Sequence, residues 1–146
     1  MAFTNYMAQG LQNYLSAPGV AMPVTPAPNL FLALHDASPD ADALLGEIAA
    51  YGGYARTPII LSPTAGADSQ DLWNDQPVIF PVATANGALP ILYYSIWDAQ
   101  VAGNPICWGA LDAATNWVLN SQIALATNLL RVQMPTSIME NCTPAP

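Results

Sequence analysis

An apolar stripe at helical spacing opens the chain. Its large side chains recur every four positions, at Phe3, Met7, Leu11 and Leu15. This spacing places them on one face of an α-helix. Thr4 or Asn5 is suited to cap the start of the helix, and Pro18-Gly19 should end it. We therefore predict one short amphipathic helix over residues 1–17, whose stripe packs on the core, anchors the chain on a neighbour, or does both.

The segment that follows, residues 18–28, is rich in proline. Its prolines are Pro18, Pro23, Pro26 and Pro28. They forbid a regular helix and favour an extended, polyproline-like path. An arm that is already restricted in φ loses less entropy when it docks, so we expect this segment to run along the surface and reach neighbouring subunits.

Short apolar runs separated by turn-rich pieces fill the rest of the chain. The runs span residues 29–35, 54–61, 77–83, 91–97, 106–111, 117–126 and 129–134. Their lengths and their aromatic and β-branched content predict strands, and only residues 41–50 suit a helical turn. Pro58 and Pro81 place their strands at edges or bulges. Gly52-Gly53 suits a tight turn or a bulge before a strand.

This pattern predicts a mainly β fold: an antiparallel β-sandwich or jelly-roll-like barrel with one short N-terminal amphipathic helix and a proline-rich arm. A chain of 146 residues can bury roughly 68–70% of the surface that its unfolded form exposes, which is enough for one core. We expect a single β-rich domain over residues 1–146. Its parts are the helix (1–17), the arm (18–28), the β-core (29–136) and an extended C-terminal tail (137–146).

Charged residues are scarce, and this changes the picture of the surface. Hydrophobic residues make up 53% of the chain and charged residues 8%, where about 25% charged is usual. Much of the surface must therefore be neutral or apolar. Monomeric proteins seldom expose large apolar patches, so the composition predicts permanent assembly with partners.

The few charged residues are also mostly acidic. Ten acidic residues face two basic ones, Arg56 and Arg131, and the formal net charge is −8. Binding to nucleic acid needs several cations against the phosphates, and anionic membrane surfaces make the same demand. No apolar run reaches the length of about 18 residues that marks a membrane span, and the N-terminus lacks the positive region of a signal peptide. We expect no nucleic-acid or membrane partner, and a cytoplasmic chain until assembly.

His35 is the single histidine, so a Ser-His-Asp or Cys-His site would have to use it. Asp36 lies beside it, and folding would have to bring Cys107 or Cys142 close. A strand-end histidine with local hydrogen bonds is the simpler interpretation, and we prefer it. The two cysteines lie outside any Cys-x-x-Cys pattern, which gives metal or redox chemistry little support. The sequence leaves open whether they pair.

Acidic residues suggest two further kinds of site. One cluster consists of Asp68, Asp71, Asn74 and Asp75, and another of Asp40 and Asp42. The spacing and the terminal Glu of a calcium-binding EF-hand are missing from both, and we interpret them as solvated loops. Asp98 and Asp112 at predicted strand ends would suit a glycosidase pair, but Asp is also favoured in turns. We predict no catalytic residue, metal or cofactor.

The aromatic side chains suggest a binding surface. The chain has four tryptophans, at Trp73, Trp97, Trp108 and Trp117. Trp97 and Trp108 lie in predicted strands and should pack inward, whereas Trp73 lies in polar sequence that we predict to be a loop. Trp73 is therefore the best candidate for an exposed anchor, at a subunit contact or on a glycan-binding surface.

An ordered set of motifs resembles a known family. The set comprises LFLALH at residues 30–35, EIAAYGGYAR at 47–56, IFPVAT at 79–84, IWDA at 96–99 and WGAL at 108–111. With the N-terminal helix before it, the set resembles small tailed-bacteriophage virion proteins of the tail-fibre-like or capsid decoration (cement) kind, over roughly residues 1–134. At 86–90 this chain reads NGALP, where the family often has a Trp-Gly pair.

The resemblance implies a structural virion protein rather than an enzyme. A short chain without heptads fits a compact subunit better than a fibre, and an acidic chain suits a shell exterior away from DNA. We expect a decoration protein that binds the outer surface of the major capsid protein lattice and copies of itself, as a trimer. The alternatives are a tail, neck or tail-fibre component and a glycan-binding module on the virion. Candidate partner contacts are Phe3, Met7, Leu11, Leu15, Pro23, Pro26, Pro28 and Trp73.

Overall fold

The computed structural model describes residues 2–16, 29–43, 45–63 and 71–133. Within them the elements are β1 (Ala2–Phe3), α1 (Asn5–Ser16), β2 (Leu30–His35), β3 (Thr57–Ile59), β4 (Leu61–Pro63), β5 (Asp71–Asn74), β6 (Val78–Ile79), β7 (Ala88–Trp97), β8 (Pro105–Val118), β9 (Ala124–Leu125) and β10 (Arg131–Gln133). The predicted mainly β fold with one short N-terminal helix is confirmed. The predicted arm (18–28) and tail (137–146) lie outside the described residues.

The largest sheet has five antiparallel strands in the order β1-β8-β7-β2-β3. Its centre is the long β7–β8 hairpin. Our prediction divided β8 into runs at 106–111 and 117–126, but the structure has one strand over Pro105–Val118 and then a turn. The division was wrong because residues 112–116 are exposed polar or small side chains, so no apolar alternation marks the strand there.

Two smaller antiparallel sheets complete the described part of the fold, in the orders β10-β5-β4 and β6-β9. None of the three sheets closes into a barrel, so the jelly-roll-like barrel does not form within these residues. Pro58 lies in β3, at the edge of the five-stranded sheet, as predicted. Pro81 follows β6 instead of lying inside a strand, because that strand pairs only over Val78–Ile79.

Alternation along the central strands divides the buried side chains between two faces. Leu32 and Leu34 contribute to the main cluster, which also receives side chains from both smaller sheets. Ala33 points the other way and contributes to a second, smaller cluster with Ala43 and Trp97. Successive side chains of a strand point to opposite faces, so a strand that is buried on both faces contributes to two clusters. The main cluster therefore connects all three sheets, and Ala43, from the segment after β2, contributes to the second face.

Thr4 holds the helix to the sheet. Its hydroxyl oxygen accepts a bond from the Met7 amide (3.5 Å), in the position of a helix N-cap. The same hydroxyl donates to the carbonyls of Pro105 and Ile106 on β8, and Thr4 is fully buried. Phe3 lies in β1 instead of the helix, so the helix begins later than the apolar stripe does. Among the described residues, no helix has the length and apolarity to cross a membrane.

The motif at residues 47–56 packs against the main core cluster through Tyr51 and Tyr54. Gly53 adopts a left-handed backbone (φ 85°), and a Cβ there would meet the Val82 carbonyl oxygen at 2.3 Å. The predicted Gly52-Gly53 turn is therefore confirmed, with a steric reason for its second glycine. The Tyr51 hydroxyl donates to the Trp117 carbonyl (3.1 Å). Residues 41–43 and 45–50 form turns without a helix.

Candidate functional site

The predicted contact residues near the N-terminus lie in β1 and α1, next to strand β8. Phe3 is half-buried and packs against the main core cluster. Met7 and Leu11 are also half-buried but belong to neither described core cluster. Leu15 lies in α1, and its side chain is outside the described residues, as are Pro23, Pro26 and Pro28. The helix is thus fixed by Thr4 and leaves part of its apolar stripe at the surface.

The outer side of β8 is paired over only a short stretch. β1 pairs with it at Cys107 and Trp108. From Gly109 to Val118, no strand in the described part of the chain pairs with that side. A strand edge with open amide and carbonyl groups is a template for pairing with another chain. Asp112 is the one charged residue of this stretch, which does little to deter such pairing.

Trp73 lies in strand β5, which corrects the prediction that it is in a loop. It pairs with Arg131 of β10, and the guanidinium carbon lies 5.6 Å from the indole centroid. Trp73 is half-buried, whereas Arg131 is exposed. The sequence around Trp73 reads DLWND, and a run of only two apolar residues between polar ones is too short to indicate a strand. The strand exists because β4 and β10 both pair with it.

Asn74 holds the loop that follows β9 against β5. Its side-chain amide donates to the carbonyls of Gln76 (3.0 Å) and Ala126 (2.7 Å), and its side-chain oxygen accepts from the Leu130 amide (2.8 Å). Asn74 is fully buried, and its side chain is committed to these bonds. It therefore does not belong to a solvated acidic loop, and Asp71 lies in strand β5. Asp68 lies outside the described residues.

A cleft of about 350 Å³ opens where β5 and β10 meet β7 and β8. The residues that line it are Trp73, Tyr94, Gly109, Ala110, Asp112, Leu129 and Arg131. Burial, with the nearby Cys107 and Asp112 adding to it, raises the pKa of Tyr94. Its phenol therefore remains a neutral donor, and it bonds the Arg131 carbonyl (3.3 Å). The cleft combines an aromatic face, a carboxylate and a guanidinium.

Asp98 and Asp112 have different settings. The Asp98 carboxylate accepts bonds from the amide (2.6 Å) and the side chain (2.9 Å) of Asn104, so it is a turn residue as predicted. Asp112 is exposed in the middle of β8 and lines the cleft, instead of lying in a turn. The commitment of Asp98 to its own turn gives no support to a glycosidase pair.

His35 ends β2, as expected. One ring nitrogen bonds nearby in the sequence, whereas the other bonds to Ser95 on the neighbouring strand β7, which the expectation of local bonds did not include. Its Nδ1 lies 2.9 Å from the Leu45 carbonyl, which only accepts, so Nδ1 carries the proton. Nε2 then accepts from the Ser95 hydroxyl (2.7 Å), whose oxygen accepts from the Trp97 indole (2.7 Å). Burial lowers the pKa of His35, against the opposing effect of its bond to Leu45, and favours the neutral ring.

The Ser95–His35 pair has the hydrogen bond of a catalytic dyad, but it is not accessible to a substrate. His35 and Ser95 are both fully buried, and the third partner is a carbonyl instead of a carboxylate. Cys107 belongs to the main cluster on the other face of the sheet, and burial raises the pKa of its thiol to about 12. The geometry therefore supports a structural hydrogen-bond chain. Sequence reasoning missed Ser95 because only strand pairing brings it to His35.

Glu47 and Arg56 form a bidentate ion pair within the motif at 47–56. Nε and Nη2 of Arg56 each lie 2.8 Å from a Glu47 oxygen. Burial acts to raise the pKa of Glu47, but the bonds and charge of Arg56 and the Tyr54 hydroxyl outweigh it and lower the pKa. The Tyr54 oxygen also accepts from the Leu34 amide (3.3 Å). The pair joins this motif to β2, so these residues build the fold.

Comparison with known proteins identifies the family. Residues 2–133 match the family model described as podophage GP4 fiber I protein gp80. A search of curated proteins found no significant match. The matched region contains every strand described above, the helix and the cleft. The chain therefore belongs to the podophage GP4 fiber I protein gp80 family and is a fibre-like virion protein of a tailed bacteriophage.

Proposed function

We propose that the chain is a non-enzymatic structural subunit of a tail fibre, which assembles through the outer side of β8 with further copies of itself. The observation that carries the proposal is the unpaired stretch Gly109–Val118 described above. Backbone pairing across such an edge needs no complementary side-chain charge. A subunit with a formal charge of −8 and few cations cannot rely on ion pairs between copies, so backbone pairing suits it.

Helix α1 offers a second, apolar surface for contact between subunits. The helix contacts β8, and Met7 and Leu11 are half-buried beside it without joining the core clusters. Apolar side chains that are half-covered in one subunit gain burial when a second subunit packs against them. The helix and the unpaired stretch are separate candidate surfaces, because β1 runs from Trp108 towards Pro105 before α1 begins, whereas the unpaired stretch begins at Gly109. In this proposal the predicted contact residues Phe3, Met7 and Leu11 contribute to the surface at the helix.

Capsid decoration is the second candidate. The chain is short and has no heptad repeat, which suits a compact subunit on the major capsid protein lattice, where it would form a trimer. In this case the prolines at 18–28 would reach neighbouring subunits. Deleting residues 18–28 should then lower the occupancy or the heat stability of the particle. Unchanged occupancy and stability would contradict a role for the arm.

The copy number per particle distinguishes the two candidates. Quantitative mass spectrometry of purified virions should give a small multiple of the tail symmetry, and gold-labelled antibody should decorate the tail. Hundreds of copies on the head would support decoration and contradict the fibre proposal. Absence of the chain from purified virions would contradict both.

A substitution on β8 tests the unpaired stretch itself. Ala114 is exposed on the unpaired stretch, and a lysine there places a charge at the edge, which disfavours pairing between chains. Light scattering after size-exclusion chromatography should show a shift from oligomer to monomer for Ala114→Lys. The matched control is Val101→Lys in the β7–β8 loop, where the side chain is 83% exposed. Equal oligomer size in both variants would contradict assembly through β8.

A further inference from the structure

The cleft beside Trp73 combines the chemical groups that recognise a sugar. One wall presents the half-buried Trp73 ring, which offers a flat apolar surface. Trp73 pairs across the strands with Arg131, whose guanidinium carbon lies 5.6 Å from the ring centroid. A sugar ring has a C–H face that packs on such a surface and hydroxyls around its edge. The volume of about 350 Å³ lies at the small end of the ~300–1,000 Å³ that small-molecule sites occupy.

The polar groups of the cleft match hydroxyls better than ions. Asp112 supplies an acceptor and Arg131 supplies donors, and both are exposed where they line the cleft. A hydroxyl donates and accepts, so neighbouring hydroxyls of one sugar can bond to both. The two charges oppose each other, so the cleft itself has little preference for a charged ligand. The net charge of −8 disfavours the approach of an anion.

Three residues, Gly109, Tyr94 and Asn74, hold the walls of the cleft in place. A Cβ on Gly109 would lie 2.7 Å from the Tyr94 hydroxyl oxygen, so only glycine leaves the Tyr94 ring in place. Tyr94 in turn donates to the Arg131 carbonyl and ties β7 to β10. Asn74 holds the loop that carries Leu129. A preorganised cleft loses little entropy when a ligand binds.

We propose that this cleft binds one or two residues of a neutral saccharide. Trp73 stacks on the sugar ring, Asp112 accepts from one hydroxyl and Arg131 donates to another. This goes beyond the assembly role. Gly109, Ala110 and Asp112 belong both to the cleft and to the stretch Gly109–Val118, whereas Trp73 and Arg131 belong to the cleft alone.

Binding to an array of neutral oligosaccharides tests the proposal directly. The array should contain glucose, galactose, rhamnose and N-acetylglucosamine oligomers beside sulfated and sialylated counterparts. We expect the full-length chain to bind at least one neutral glycan and to bind its anionic counterpart at least tenfold more weakly. Failure to bind any neutral glycan, or a preference for the anionic forms, would overturn the proposal.

Variants then locate the binding. Trp73→Ala and Asp112→Asn should each weaken binding of the selected glycan at least tenfold in titration calorimetry, whereas Trp73→Phe should retain more of it. Asp112 is exposed, so Asp112→Asn should keep the fold. This variant therefore tests the site even if Trp73→Ala does not fold. Val101→Ala is the control outside the cleft. Unchanged affinity in Asp112→Asn and Trp73→Ala would overturn the assignment.

The oligomeric state separates this proposal from the assembly role. Light scattering of Trp73→Ala should give the same oligomer as the unmodified chain. If Trp73→Ala becomes monomeric, the cleft is a subunit contact and the saccharide assignment fails. Loss of oligomers in Ala114→Lys with retained glycan binding would leave the saccharide site intact.

Discussion

The two arginines of the chain each lie over a tryptophan, in opposite settings. The Arg56 guanidinium carbon lies 3.5 Å from the Trp97 ring centroid, and Trp97 is 2% exposed. Arg131 lies 5.6 Å from the ring centroid of Trp73, and both line an open cleft. Arg56 also bonds both oxygens of Glu47 and donates to the Ala102 carbonyl (2.6 Å).

The difference shows how one type of contact serves two purposes. A cation that is enclosed with its carboxylate and an aromatic face joins segments of the fold, since moving it would leave charges buried without a partner. A cation at the rim of a cleft is exposed to solvent, where a ligand can reach it. We infer that the interior pair, Arg56 and Trp97, stabilises the fold and that the rim pair, Arg131 and Trp73, contacts ligand.

The largest contrast should come from removing the two tryptophans. Trp97→Ala should lower the free energy of unfolding by about 3–5 kcal/mol, because it leaves a cavity in the interior. Trp73→Ala should cost about 1–2 kcal/mol, because a half-buried ring leaves no closed cavity. Denaturant unfolding measures both. Equal losses would contradict the division into interior and rim.

Neutralising the two carboxylates should give the next largest contrast. Glu47→Gln leaves Arg56 enclosed, with 10% of its side chain exposed. Breaking a buried pair costs about 3–5 kcal/mol, and partial exposure reduces this, so we expect a loss of about 2–4 kcal/mol. Asp112→Asn at the rim should change stability by less than about 0.5 kcal/mol. An exposed ion pair contributes about 1 kcal/mol or less to stability. A loss no larger than this in Glu47→Gln would contradict the interior role of the pair.

Two glycine variants separate the two costs of a side chain at Gly53, which are left-handed backbone strain and a close contact with Val82. Gly53→Ala should cost more than the ~1–2 kcal/mol of left-handed strain, because its Cβ would also meet the Val82 carbonyl. Gly87 has a φ of 101° with no atom within 4 Å of a Cβ, so Gly87→Ala should show the strain alone. Thermal unfolding of both variants gives the comparison. Equal destabilisation would show that the close approach to Val82 is relieved at no cost.

Lowering the pH should reduce the free energy of unfolding in two steps, the first from His35 and the second from Glu47. His35 has a pKa below its ordinary 6.5, because of burial, so its contribution to stability is present above pH 6.5 and is lost as the pH falls through the folded-state pKa. Glu47 has a pKa below its ordinary 4.5, and its contribution is lost in the same direction below pH 4.5. Unfolding in denaturant across this range should show both.

The matched variant for the first step is His35→Gln. It should be less stable at neutral pH and should lose less stability than the unmodified chain between pH 6.5 and 4.5. An identical pH profile in both proteins would contradict the assignment of this step to His35.

The smallest effect on stability should come from the rim arginine. Arg131→Gln should change the free energy of unfolding by less than about 0.5 kcal/mol, as exposed positions usually do. The same variant should weaken binding of the selected neutral glycan by about tenfold, since one charge-assisted bond is lost. A strongly destabilised Arg131→Gln would place this arginine with Arg56 in the structural class.

The sequence by itself determined the local elements and the character of the surface. The four-residue stripe and Thr4 gave the start of α1, and the apolar run at residues 30–35 gave β2, because both depend on periods within one segment. Gly52-Gly53 gave a turn, because the left-handed backbone favours glycine. Composition gave a surface poor in charge.

Only the tertiary structure decided which distant residues meet. Trp73 was predicted in a loop because most of the sequence around it is polar, yet pairing with β10 places it opposite Arg131. Ser95 carries no sequence signal and contacts His35 because β2 pairs with β7. Asp112 resembled a turn residue but lines a cleft in mid-strand. Strand pairing joins segments far apart in the chain, and the period of a single segment contains no record of its partner.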